Sequence, residues 1–178
     1  AGYPITPSSE VLHLLSELMP KVGGYLVQTE DELSAIGAVI GGSFAGVKSM
    51  TATSGPGLAL MTEAMGLAVA AEVPAVIVNV MRGGPSTGIP TKSEQVDLNI
   101  ALHGLHGDAP HLVLGALDHA DCVLVAEWSV RLAEALQTVA IVLTDQNLAQ
   151  SRALIPQPDY SLPDIPARRT AGPDDDYQ

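Results

Sequence analysis

The feature that most constrains the fold is an apolar segment at residues 75–81, Ala-Val-Ile-Val-Asn-Val-Met. It is rich in β-branched residues and only one of its members is polar, which predicts a strand covered on both faces, as in a parallel sheet. Arg82 follows directly, and a loop rich in Gly, Pro, Ser and Thr continues from it. Ligands of open α/β sheets bind beyond the carboxyl ends of the strands. We therefore expect the functional site near Arg82.

The rest of the chain alternates between strand-like and helix-like segments, which predicts an α/β fold with a mainly parallel open sheet and helices on both faces. The loop at residues 1–8 enters a helix, although such a loop normally follows a strand, so we expect the first strand of the fold to be missing. Strands are predicted at residues 25–28, 48–53, 75–81, 111–114 and 139–143, and helices near 9–21, 30–42, 58–72, 93–103 and 118–136.

The composition changes at Pro156, after which prolines are frequent and the acidic run Asp174, Asp175 and Asp176 follows. This segment has neither helical nor strand periodicity. We expect one domain at residues 1–155 and a linker or extended tail at residues 156–178 leading towards a following domain.

Charge and cysteine content exclude several classes of function. The net charge of −12 argues against nucleic acid, which binds basic surfaces. No apolar segment is long enough to span a bilayer, and no signal peptide is visible. The single cysteine, Cys122, permits no disulfide within the chain and no iron–sulfur cluster held by this chain alone. We expect a cytoplasmic location without membrane or nucleic-acid partners.

Two charged residues are candidates for chemistry, and each has a structural alternative. Glu32 follows Thr29 by three residues, which is the spacing of a capping box at a helix start. It could instead be a partly buried acid that exchanges protons with a ligand. Arg82 could point to solvent or pair with an acid at a strand end, or it could hold a ligand carboxylate through two parallel hydrogen bonds.

The remaining candidates are weaker. The glycine-rich turns at residues 54–57 and 83–88 could hold a phosphate, but neither matches a Walker or dinucleotide pattern, and both are equally typical of strand-to-helix turns. The histidines between residues 103 and 111, with Asp108, could bind a metal or lie on the surface. Cys122 is expected to be buried and inert. We predict no metal ligands in this chain.

Five ordered segments carry a resemblance that composition and periodicity do not reveal. They are YPITPSSE at residues 3–10, EDE at 30–32, TATSGPG at 51–57, RGGPSTGIPT at 82–91 and GLHGD at 104–108. Together they resemble the α subunit of 2-oxoacid:ferredoxin oxidoreductases, above all the 2-oxoglutarate type. The resemblance covers about residues 1–156 and implies the pyrimidine-binding domain of a thiamine diphosphate enzyme.

The resemblance implies roles for individual residues. Glu32 matches the glutamate that bonds the pyrimidine nitrogen N1′ of the cofactor, with Glu30 as the fallback if the alignment slips. Thr6 matches a threonine near the substrate carbonyl, and Arg82 matches the arginine that holds the substrate carboxylate. The neighbouring positions are Ser86 and Thr87 in the loop beside the substrate and Gly55, Pro56 and Gly57 in the turn near the cofactor.

The resemblance also implies that the site is shared with another chain. The family binds the diphosphate and Mg²⁺ through Gly-Asp-Gly and a later Asn, whereas Gly107 and Asp108 are followed here by Ala109, and the next Asn is Asn147. We therefore expect the magnesium site and the [4Fe–4S] cluster on the β subunit, in a hetero-oligomer that uses ferredoxin and coenzyme A. Exposed sheet edges and apolar surface would favour self-association of the chain alone.

The implied function is oxidative decarboxylation of a 2-oxoacid, with 2-oxoglutarate favoured, to an acyl-CoA with reduction of ferredoxin. One alternative keeps the family but changes the substrate to pyruvate or to a branched-chain or aryl 2-oxoacid. Another is a non-catalytic α/β domain that uses the same loops only for binding or assembly.

Overall fold

A four-stranded parallel sheet forms the centre of the computed structural model, which describes residues 1–159, 163–170 and 172. The strands are β1 (Met50–Thr53), β2 (Ala75–Met81), β3 (Leu112–Gly115) and β4 (Val139–Asp145), and their spatial order is β1-β2-β4-β3. Every neighbouring pair is parallel. The predicted parallel sheet is confirmed, and the apolar β2 occupies an interior position in it.

Helices cover both faces of the sheet, as predicted. They are α1 (Ser9–Leu18), a 3₁₀ helix (Met19–Val22), α2 (Glu32–Phe44), α3 (Gly55–Ala70), α4 (Leu98–His103), α5 (His119–Leu136) and α6 (Gln146–Gln150). Helices α2 and α3 pack on one face and α5 on the other. None of the helices that the structure describes is long and apolar enough to cross a membrane.

The alternation of side chains along β2 explains its uninterrupted apolar sequence. Ala75, Ile77 and Met81 enter the core beneath α2 and α3, whereas Val76 enters the core beneath α5. Successive side chains of a strand point to opposite faces of the sheet. A strand that is covered on both faces is therefore apolar at odd and even positions alike. Asn79 is the exception, and it lies at the end where β2 approaches the candidate site.

Two predicted elements differ from the structure. The strand expected at residues 25–28 is reduced to an isolated bridge between Gly2 and Gln28, because Gly2 is the sole described residue that pairs with it. The helix expected from residue 93 starts only at Leu98, since Gln95 and Asp97 use their side chains to tie an irregular loop to the sheet.

The chain after α6 has no helix or strand in its described part, as its prolines predict. It is nevertheless held at Arg168, whose guanidinium donates to both carboxylate oxygens of Glu134 on α5 at 2.8 and 2.6 Å. Its Nη1 donates to the carbonyl of Ser43 on α2 at 2.7 Å. The acidic run at residues 174–176 lies outside the described residues, and the predicted boundary between residues 155 and 156 stays a prediction.

Candidate active site

A cleft of about 650 Å³ opens at the carboxyl edge of the sheet, beside the end of β2. One wall is the β1–α3 turn, which consists of Ser54 and the first turn of α3 at residues 55–57, and the other is the loop at residues 83–97 that follows β2. Its lining includes Gly55, Pro56, Arg82, Ser86, Thr87 and Asp97. The site therefore lies where the carboxyl ends of parallel strands predict it.

Arg82 is the cation of this cleft, and it is only 6% exposed. Its Nη1 donates to the backbone carbonyl of Thr6 at 2.5 Å, and its Nη2 donates to the backbone carbonyl of Thr87. Its Nε is buried without a partner. The alternative of a strand-end arginine pointing to solvent is wrong, because the surrounding loops cover the side chain.

Arg82 forms no ion pair with a described residue, although Glu94 and Asp97 line the same cleft. The ion pairs among the described residues join Arg131 to Glu127 and Arg168 to Glu134, and Arg82 takes part in neither. Removing a charged group from water is costly unless an opposite charge or hydrogen bonds compensate. The two carbonyls compensate in part, and the cleft side of the guanidinium is suited to an anionic ligand.

Glu32 is the first residue of α2 and is 7% exposed. The predicted capping box is wrong, because Asp31 is the N-cap and its carboxylate accepts from the amide of Ser34 at 2.7 Å. Thr29 instead donates its hydroxyl to the carbonyl of Asp31 at 3.0 Å. Glu32 is thus free of any capping role, and no described residue donates a hydrogen bond to its carboxylate.

The β1–α3 turn approaches two carboxylates so closely that it has no space for side chains. A Cβ on Gly57 would lie 3.0 Å from Oε1 of Glu32 and 2.0 Å from Oγ1 of Thr53. A Cβ on Gly55 would lie 2.9 Å from both carboxylate oxygens of Asp97. These glycines are therefore needed for close packing against carboxylates.

Sequence reasoning missed a polar network that fastens the loop at residues 83–97. Asn79 is fully buried on β2, and its Nδ2 donates to Oδ2 of Asp97, which is 8% exposed, at 2.8 Å. Gln95 donates to Oδ2 of Asp145 at the end of β4, at 2.7 Å. A polar residue within an apolar strand is the one sequence signal that could have pointed to this network, because buried amides need partners.

Hydrogen bonds determine the pKa of Asp145, an acid at this edge of the sheet. Burial alone would raise the pKa of its carboxyl group, but the bonds from Gln95 and from the backbone amides of Leu148 and Asn147 hold the pKa below its usual range. Charge-assisted bonds to a carboxylate favour its ionised form.

The structure brings most of the predicted site residues together. Thr6, although exposed itself, supplies a carbonyl to Arg82, and Ser86 and Thr87 are exposed in the loop beside the cleft. That loop is closed by a bond from the amide of Ile89 to the carbonyl of Gly83 at 2.8 Å. Glu32 does not line this cleft. It lies against Gly57, two residues along the turn from Gly55.

The weaker candidates of the sequence have structural explanations. Both ring nitrogens of His111 lie 2.7 Å from backbone carbonyls, those of Ala109 and Ala101, so this histidine fastens α4 to the following loop. The described residues contain no group of three or more His, Cys, Asp and Glu side chains able to hold a metal ion. Cys122 is half-buried rather than buried, and burial raises the pKa of its thiol, although a bond with Thr144 opposes this.

Comparisons with known proteins identify the family of the chain. Residues 1–175 match the family described as pyruvate flavodoxin/ferredoxin oxidoreductase, thiamine diphosphate-binding. The chain is 49% identical over 158 residues to 2-oxoglutarate synthase subunit KorA of Archaeoglobus fulgidus, a match that covers 89% of this chain and 46% of that relative. It is 42% identical over 166 residues to 2-oxoglutarate oxidoreductase subunit KorA of Mycobacterium tuberculosis, covering 93% of this chain and 24% of that relative.

A solved structure is also similar. It is the 2-oxoglutarate:ferredoxin oxidoreductase from Magnetococcus marinus with 2-oxoglutarate, coenzyme A and succinyl-CoA bound. The TM-score is 0.93 at 50% sequence identity, over 99% of this chain and 31% of that chain. The chain spans less than half the length of the curated relatives it matches.

Proposed function

Since the chain belongs to the thiamine diphosphate-binding family of pyruvate flavodoxin/ferredoxin oxidoreductases, we propose that it acts in the α subunit of a 2-oxoacid:ferredoxin oxidoreductase. The reaction is oxidative decarboxylation of a 2-oxoacid to an acyl-CoA, with electrons passed to ferredoxin. 2-Oxoglutarate is the favoured substrate, because the relatives named above are 2-oxoglutarate enzymes.

The single observation that carries this proposal is the buried guanidinium of Arg82, which faces the cleft and forms no ion pair with a described residue. A 2-oxoacid is an anion at neutral pH. The carbonyls of Thr6 and Thr87 each occupy one N–H of the guanidinium, which has five, so N–H groups remain for a ligand. Arg82 would bind the substrate carboxylate through these groups, in an orientation that the two carbonyls fix.

The surroundings of Glu32 fit the pyrimidine end of thiamine diphosphate. Its carboxylate is buried and accepts no hydrogen bond from the described residues, so a ring N–H could occupy it without displacing a protein donor. Glu32 would accept this bond from N1′ and hold the proton between its Oε atom and the ring nitrogen. When bound, the cofactor supplies the nucleophilic carbon and the electron sink for decarboxylation.

Gly55, Pro56 and Gly57 would form the wall between cofactor and substrate, with Ser86 and Thr87 on the far side of the substrate. The glycines of this turn are needed because Asp97 packs against Gly55 and Glu32 packs against Gly57, so the turn holds both carboxylates close to its backbone. Glu32 and Arg82 are both largely buried, and a charged group that is shielded from water interacts more strongly with a ligand.

The remaining parts of the enzyme would belong to other chains or domains. We propose that the β subunit holds the diphosphate, Mg²⁺ and [4Fe–4S] sites, as the family resemblance implies. Exposed apolar residues such as Val22, Tyr25 and Phe44 provide surface for that subunit. Residues 1–155 would be the pyrimidine-binding domain of a cytoplasmic hetero-oligomer, and residues 156–178 would lead to the next domain.

Glu32→Gln in the assembled enzyme tests the proposal. We expect turnover of 2-oxoglutarate to fall roughly 100-fold, which corresponds to about 2.7 kcal/mol, because an uncharged amide replaces the acid that serves N1′. The matched control is Glu30→Gln, an exposed acid two residues away, which should leave turnover within about twofold. Full activity of Glu32→Gln would contradict the assigned role.

Two further measurements separate the alternatives. A substrate panel on the complex distinguishes 2-oxoglutarate from pyruvate and from branched-chain or aryl 2-oxoacids through kcat/KM. Calorimetry of the complex with thiamine diphosphate tests the non-catalytic alternative, which predicts no binding.

A further inference from the structure

The geometry points to Asp97 as a positioning residue. It joins the two walls of the cleft and thereby fixes the position of the Arg82 guanidinium that would bind a ligand. This inference rests on the proposed function of Arg82, but it concerns a residue to which neither the sequence nor the family resemblance assigned a role. It begins with a buried carboxylate that has no cation beside it.

Asp97 is 8% exposed and forms no ion pair with a described residue. Although it directly precedes α4, its side chain makes no capping bond there. Its described hydrogen bond is the one that Oδ2 accepts from Asn79 at 2.8 Å. Neither a surface pair nor a helix cap therefore accounts for the burial of this carboxylate.

The bond to Asn79 fastens the far end of the loop to the strand from which the loop departs. Asn79 precedes Arg82 by three residues on β2, and the loop leaves at Arg82 and returns at Asp97. The near end is held by the bond from Arg82 to the carbonyl of Thr87. The loop segment that contacts Arg82 is thus fixed at both ends to the same strand.

Asp97 also contacts the opposite wall. A Cβ added to Gly55 would lie 2.9 Å from each carboxylate oxygen of Asp97, so the two residues are closely packed. Both residues line the cleft. Asp97, which Asn79 orients, therefore contributes directly to the spacing between the β1–α3 turn and the loop, while Gln95 ties the loop separately to Asp145. A change in this spacing would alter the position of the Thr87 carbonyl and, through it, the guanidinium of Arg82.

Asn79 itself supports a positioning role. It is fully buried, and its Oδ1 has no partner, so its amide has one described bond with which to offset burial. An asparagine at position 97 could accept from Nδ2 of Asn79 and donate to this free Oδ1. Asp97→Asn should therefore keep the connection while removing the charge, and Asp97→Ala should remove both.

The experiment compares Asp97→Ala and Asp97→Asn in the full chain assembled with its β subunit. We expect Asp97→Ala to raise KM for the 2-oxoacid at least tenfold while kcat changes less than threefold, because Arg82 is misplaced but present. Asp97→Asn should restore KM to within threefold of the starting enzyme. The stability control is Arg168→Ala, far from the cleft, which should leave KM unchanged.

Hydrogen exchange of the same proteins provides a readout that needs no substrate. In Asp97→Ala the amides of residues 83–96 should exchange faster, including that of Ile89, whereas Arg168→Ala should leave them unchanged. Unchanged exchange of this loop in Asp97→Ala overturns the inference whatever the activity.

The kinetic outcomes can overturn it as well. A fall in kcat with unchanged KM, or an Asp97→Asn enzyme as impaired as Asp97→Ala, would show that Asp97 does not act by positioning Arg82. If the starting complex turns over no 2-oxoacid while the loop still loosens in Asp97→Ala, the proposed function fails and the connection between the walls stands.

Discussion

Two largely buried arginines of this protein have opposite surroundings. Arg168 donates to both oxygens of Glu134 and to the carbonyl of Ser43, and the bond to Glu134 raises the pKa of its guanidinium above the usual value. Arg82 is more deeply buried, yet among the described residues it finds backbone carbonyls and no anion. Arg168 thus has an anionic partner within the chain, whereas Arg82 has none among the described residues.

This difference separates a structural cation from one that is available to a ligand. Arg168 holds residues 163–170 against α2 and α5, and four of its five N–H donors are already occupied within the chain. Arg82 keeps free N–H groups in a cleft and forms no ion pair with a described residue. Buried charges that lack partners are more common at functional sites, because folding alone gives no reason to retain them.

The largest expected effect comes from removing Arg82. Arg82→Ala in the assembled enzyme should lower kcat/KM for the 2-oxoacid about 100-fold or more, the loss expected for a charge-assisted contact of roughly 3 kcal/mol. Arg82→Lys should recover little of this, since one ammonium cannot serve two carbonyls and a carboxylate in the same geometry. Steady-state kinetics measure both.

The control for this prediction is Arg131→Ala. Arg131 pairs with Glu127 one turn away on α5, with both side chains about one-third exposed, so its loss should change neither stability nor activity by much. If Arg82→Ala were as active as Arg131→Ala, the difference in surroundings between Arg82 and Arg168 would not reflect a role of Arg82 in substrate binding.

Arg82 can also be given the anion that it lacks. Thr87→Asp adds a carboxylate to the loop that already contacts the guanidinium, and this should make Arg82 resemble Arg168. We expect KM for the 2-oxoacid to rise roughly tenfold, because an internal carboxylate competes with the substrate, without loss of folding stability. Thr87→Asn is the uncharged control, and equal KM values for the two variants would argue against competition by charge.

Removing Arg168 should affect stability and not chemistry. Arg168→Ala leaves Glu134 without its partner, and we expect the free energy of unfolding to fall by about 1–3 kcal/mol. Proteolysis within residues 163–170 should become faster, while KM stays constant. Denaturant unfolding measures the first effect, and a change in KM would show that the two regions are coupled.

The smallest expected effect is on stability and concerns Asp145. The same comparison applies to acids, because the Asp145 carboxylate accepts several hydrogen bonds, whereas the Glu32 carboxylate accepts none from the described residues. The folded-state pKa of Asp145 lies below the ordinary 3.8, so the stabilisation is present above that value and is lost as the pH falls through the folded-state pKa. Asp145→Asn should cost about 1 kcal/mol near pH 7, and the difference from the starting protein should vanish at low pH. Unfolding between pH 3 and 7 measures this. A constant difference across that range would contradict the cited hydrogen bonds.

Much of the fold could be predicted because its signals are local. The apolar run gave both ends of β2, and α5 begins after Asp118, whose carboxylate accepts from the amide of Asp121 as a predicted cap would. The N-cap of α2 was predicted wrongly because local signals offered two candidates. Thr29 and Asp31 are both good caps two residues apart, and the choice between them depends on the three-dimensional path of the chain.

The geometry of the site could not be predicted in the same way. The motifs named Thr6 and Arg82, but the bond between them joins residues 76 positions apart and uses a backbone carbonyl, which leaves no trace in the residue type. The pair of Asn79 and Asp97 likewise depends on how a loop folds back over its own strand. Family resemblance identified residues, and the structure adds which of their atoms are already occupied.

The turn between β1 and α3 has a consequence for substrate range. Its backbone separates the carboxylate of Glu32 on one side from that of Asp97 on the other, at distances that leave no room for even one methyl group. Under the proposed function, we expect adaptation to a bulkier 2-oxoacid to come from the loop at residues 83–96, whose side chains are largely exposed and can be exchanged. In directed evolution for new substrates, we expect accepted changes to collect in that loop while the turn keeps its glycines.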